Sequence, residues 1–76
     1  MPTLARLGNV LIRMFADDHD PPHFHVVTPD RAATVLISDL SILAGQIDRR
    51  SLDTALEWAT DNRELLRNEW TRLNER

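Results

Sequence analysis

From Val10 to Ala16 the chain alternates, with Val10, Ile12, Met14 and Ala16 on one side and Leu11, Arg13 and Phe15 on the other. A period of two with β-branched and aromatic content predicts a strand, entered from a turn at Gly8-Asn9. Asp17-Asp18-His19-Asp20-Pro21-Pro22 follows as a loop, because the two prolines fix φ and remove two ladder donors. A second strand is expected over His23 to Thr28, with Phe24 and Val26 on one face and His23, His25 and Val27 on the other. Pro29-Asp30 suits the middle of a type I turn. A third strand over Ala33 to Ser38 and a short fourth over Ile42 to Ala44 complete the front of the chain. Short connections make this an antiparallel meander of three or four strands, about residues 9–44.

From Ser51 the period becomes helical. Ser51 is the expected N-cap, and Asp53 and Glu57 favour the positive end of the dipole. Leu52, Ala55, Leu56, Ala59, Leu66, Trp70 and Leu73 share one arc, with polar Asn62 and Arg63 in its middle, while Trp58 and Leu65 form a smaller patch. A continuous helix over about 51–74 is roughly 36 Å long, whereas strands of six or seven residues span only about 20 to 23 Å. Either the helix breaks near Thr60-Asp61-Asn62 and folds back, or the far end packs on another chain. No Gly or Pro interrupts the segment, so the expectation is one long rod that presents Leu66, Trp70 and Leu73 as an interface. The predicted class is α+β, one small domain over 1–76, with the meander packed on a long C-terminal helix.

Composition narrows the functions open to such a domain. Its 76 residues include 42% hydrophobic ones but few aromatics, and a chain this short buries only about 60% of its unfolded surface. Oligomerisation or a partner commonly supplies the missing stability. Absence of cysteine excludes disulfides and thiolate zinc sites. Twelve acidic against nine basic residues give a net charge of −3, which argues against a mainly phosphate-driven nucleic-acid binder. All nine basic residues are Arg; nucleic acid is expected only as part of a complex, through Arg49, Arg50, Arg63 and Arg67. Aliphatic runs stop at three residues, so no membrane span is expected. No basic and apolar leader opens the chain, and the cytoplasm is the expected location.

The candidate chemistry lies in one segment. His19, His23 and His25 fall within seven residues, beside Asp17, Asp18 and Asp20. Two residues apart on a strand, His23 and His25 present both imidazoles on one side, and the preceding loop can bring His19, Asp18 or Asp20 over them. Three or four N and O ligands suit zinc or another divalent ion, and an open position would activate water for hydrolysis. The plainer alternative has these imidazoles hydrogen-bonding loop carbonyls around Pro21-Pro22, with no cofactor. No phosphate loop, nucleophile elbow or Ser-His-Asp arrangement is present.

Met1-Pro2-Thr3, Ile12-Arg13-Met14-Phe15 and above all Asp18-His19-Asp20-Pro21-Pro22-His23-Phe24-His25 carry a resemblance, joined by Leu43-Ala44-Gly45, Glu57-Trp58-Ala59 and Glu64 through Trp70. Together they resemble a family of small bacterial proteins known as domain of unknown function 4160, nearly end to end. Gln46-Ile47-Asp48 departs from it, standing where members often have Leu-Pro. The resemblance implies one component of a two-gene, toxin–antitoxin-like module encoded beside another short protein. The expected function is therefore a non-enzymatic protein-interaction module, a homo-oligomer or bound to a small partner. The alternative is a small metal-dependent hydrolase or nuclease using His19, His23 and His25.

Overall fold

The computed structural model describes residues 3–16, 19 and 21–74. Its elements are β1 (Thr3–Leu7), β2 (Val10–Arg13), β3 (His23–Val27), β4 (Ala32–Leu36), β5 (Ile42–Gln46), α1 (Arg49–Asp61) and α2 (Arg63–Asn74). The strands form one antiparallel sheet in chain order, β1-β2-β3-β4-β5. The α+β class and the meander stand, with five strands instead of three or four and two helices instead of one.

The additional strand is β1. Leu7 pairs with Val10 across Gly8-Asn9, and Gly8 takes a φ of 67° at the first turn position, as a two-residue hairpin favours. Between β3 and β4, the Thr28 N–H donates to the Arg31 carbonyl at 2.8 Å and the Thr28 hydroxyl accepts from the Arg31 N–H at 3.1 Å, closing the Pro29-Asp30 turn.

Alternation decides what is buried. Val10, Ile12, Met14, Phe24, Val26, Ala33, Val35 and Ile37 are all buried, while Leu11, Arg13, Phe15 and Val27 are half-buried. Each large side chain removed from water in this way contributes about 1.5–3 kcal/mol. Ala55 and Ala59 of α1 and Leu66 and Trp70 of α2 join the same cluster. The 13 residues of α1 span about 20 Å, close to the length of a short strand.

The long helix is two helices, which corrects the expected rod. Asn62 leaves the helical region at φ −128° and ψ 27°, and its N–H donates to the Ala59 carbonyl at 3.1 Å. The Asn62 side-chain amide donates to the Trp58 carbonyl at 2.8 Å, satisfying an acceptor that the helix end leaves open. Arg63 then donates to the carbonyl of Ile37 at 3.2 Å and to that of Ser38, tying the start of α2 to the turn after β4. With the helix broken at Asn62, Leu66, fully inaccessible, and Trp70, 8% exposed, belong to this chain's own core, with Leu73 half-buried. The surface expected to await a second chain at Leu66, Trp70 and Leu73 is thus largely used internally.

The start of α1 also differs. Asp48, not Ser51, is the N-cap: its carboxylate accepts the Ser51 N–H at 3.0 Å. Aspartate caps as well as serine, and it stands three residues before the amide it serves.

Candidate functional site

The histidine segment enters the sheet at β3. His23 lies opposite Leu36, and His25 lies opposite Thr34 on one side and Arg13 on the other. Their rings meet edge to face with centroids 5.2 Å apart, as their spacing along a strand requires. The row extends at both ends. Phe15 meets the His25 ring at 4.9 Å, and Trp70 lies 5.1 Å from the His23 ring. Four rings from the β2 exit, β3 and α2 form one continuous line.

Within that row the two histidines differ. His25 is half-buried, whereas His23 is 6% exposed although it falls opposite Phe24 in the alternation. Trp70 accounts for the difference by packing on its ring. The Nδ1–H of His23 donates to the Pro21 carbonyl at 2.8 Å. That carbonyl can only accept, so the hydrogen bond places a proton on Nδ1. This is the loop-carbonyl arrangement that the sequence offered as the plainer alternative. His19 is exposed, and Asp18 and Asp20 lie outside the described residues. Among the described residues no three His, Asp or Glu side chains are grouped so as to hold a metal ion.

On its other side Trp70 lines an open cleft of about 360 Å³ with Pro22, Ile37, Ser38, Arg67 and Thr71. Three separated stretches of chain build it, so no local motif announces it. Its only sequence signal is Arg63, the polar residue inside the apolar arc, whose bonds to the Ile37 and Ser38 carbonyls hold α2 against this end of the sheet.

The second unusual region is β5. Every one of its residues is exposed, Ile42 at 45% and Leu43 at 49%. Thr34 pairs with Ala44 and Val35 with Ile42, which leaves Leu43 as an extra residue in a bulge. Gly45 follows at φ 84°, where a Cβ would collide with the Ala32 carbonyl oxygen. Before the strand, one Asp39 carboxylate oxygen accepts the Ser41 hydroxyl at 2.7 Å and the Ser41 N–H at 3.0 Å. The hydroxyl, then the amide, holds the Asp39 carboxyl below its ordinary range. Arg49 and Arg50 stand exposed beyond the other end, with Arg49 3.6 Å from Asp53.

Among the described residues no helix is long and apolar enough to cross a membrane. A family model described as a domain of unknown function (DUF4160) matches residues 9–71. The match takes in the histidine segment, β5 and the whole cleft lining, and it omits β1. No curated protein and no solved structure matches the chain.

Proposed function

The chain belongs to the family described as a domain of unknown function (DUF4160), and from its own surface we propose that it is a non-enzymatic protein-interaction module docking a small partner along β5. One observation carries this reading: an outer strand that is exposed throughout, uncharged, and furnished with Ile42 and Leu43. An outer strand offers unpaired N–H and C=O groups to any extended segment, and natural proteins usually blunt such strands with charge. Added strands gain affinity from the main chain and selectivity from alternate side chains. The occupant is a different protein, not a second copy. Two copies paired around Leu43 would set bulge against bulge, whereas another sequence can match the interrupted register. The family resemblance supplies the source, a short protein encoded beside this one in a toxin–antitoxin-like pair.

Titration calorimetry of the neighbour-encoded protein against the native chain and Leu43→Lys tests the reading. Binding should weaken by about 2 kcal/mol or more if Leu43 is an anchor. Equal affinity for both chains overturns it, and a stable dimer of the native chain alone transfers the surface to a second copy.

A metal-dependent hydrolase or nuclease on His19, His23 and His25 remains the second reading, favoured by the 5.2 Å approach of the His23 and His25 rings. It requires zinc uptake at micromolar protein that His23→Ala abolishes.

A further inference from the structure

Beyond the docking edge, we propose that the cleft beside Trp70 binds a small carboxylic acid with a flat apolar body. Three observations carry the assignment. The cleft measures about 360 Å³, within the range of sites that enclose small molecules. Its walls are apolar on one side, formed by Pro22 with the small accessible parts of the Trp70 indole and Ile37. Its polar groups point to an anion: among the described residues Arg67 is the one charged side chain in the lining, beside the hydroxyls of Ser38 and Thr71, and no carboxylate lines it.

Position adds to this. Arg63 sits directly behind, its guanidinium bonded to the Ile37 and Ser38 carbonyls. Those carbonyls are therefore partly neutralised as acceptors, and a second positive charge backs the cleft of a chain that is acidic overall. A guanidinium takes a carboxylate through two parallel N–H donors, which a neutral amide cannot reproduce. The Trp70 ring packs against His23, so the small part of it that reaches the cleft is held in one orientation.

The test uses 3-phenylpropanoate and its neutral amide as probes. Trp58→Phe leaves Trp70 as the sole indole, so emission reads the cleft directly. The acid should change emission saturably at millimolar concentration, the amide should bind about tenfold more weakly or worse, and Arg67→Gln should erase the difference. In the native chain, amide and indole N–H resonances of Trp70 and Thr71 should move with the acid, which keeps the test valid if Trp58→Phe folds poorly. Leu43→Lys should leave all of this unchanged, which separates the cleft from the docking edge. Equal binding of acid and amide, no saturable change with either, or full retention in Arg67→Gln overturns the proposal.

Discussion

β1 and β5 are the two outer strands of one sheet, and each pairs with a single neighbour. Leu4, Ala5 and Leu7 of β1 nevertheless pack against the core, whereas no residue of β5 is even half-buried. Outer position therefore does not dictate exposure. Side-chain cover does, and the apolar side chains of β5 receive little of it. The two strands also differ in chemistry, since β1 carries exposed Arg6 while β5 carries no charge. An uncovered strand without that protection is the molecule's natural place for another chain.

The largest way to sharpen the contrast is Trp70→Ala, at the well-covered end of the sheet. Losing the indole uncovers the buried His23 and the side of α2 that faces it, and should cost about 3–5 kcal/mol in urea unfolding. A cost below about 1 kcal/mol would mean that α2 adds little to the core.

Gly45→Ala is next. Its backbone lies in the left-handed region and its Cβ would strike the Ala32 carbonyl, so a loss of about 1–3 kcal/mol is expected. That result would show β5 to be held rigidly although exposed. No loss would mean that the strand shifts freely, and the comparison between the two edges would fail.

Smallest is the cap that links β5 to α1. Asp48→Ala should lower the urea midpoint slightly, less than either change above, and Asp48→Asn should lower it less still. The Ser51 amide, then its hydroxyl, holds the Asp48 carboxyl below its ordinary value of 3.8. A depressed folded-state value means that the charged cap stabilises above 3.8 and that this contribution fades as pH falls through the lower folded value. Asp48→Asn should flatten the acid side of the stability profile, and an unaltered profile would place the acid sensitivity elsewhere.

Much of the architecture is legible in the residues themselves. The alternation of Val10 through Phe15, the Phe24 and Val26 face and the Pro29-Asp30 turn are short-range patterns, and short-range patterns survive folding. β1 is harder to see because Leu4 and Leu7 are three apart and its pairing is irregular between Thr3 and Ala5. The break at Asn62 needs neither Gly nor Pro. It rests on a side-chain amide replacing a helical bond and on Arg63 reaching a turn 25 residues away. His23 and His25 are placed together by strand geometry alone, yet nothing local brings Trp70 to them. The cleft is invisible for the same reason, being assembled from the β3 approach, the turn after β4 and α2.

The order of strands in space repeats their order along the chain, so each new hairpin can add to the last one as synthesis proceeds. The layer is complete at Gln46, before either cylinder that shields Phe24, Ile12 and Val35 has emerged. For that interval the nascent product is a finished sheet with a greasy underside, the kind of species that clumps or recruits a chaperone. Nonsense mutations between β5 and α1 should therefore yield sticky fragments, not harmless stubs.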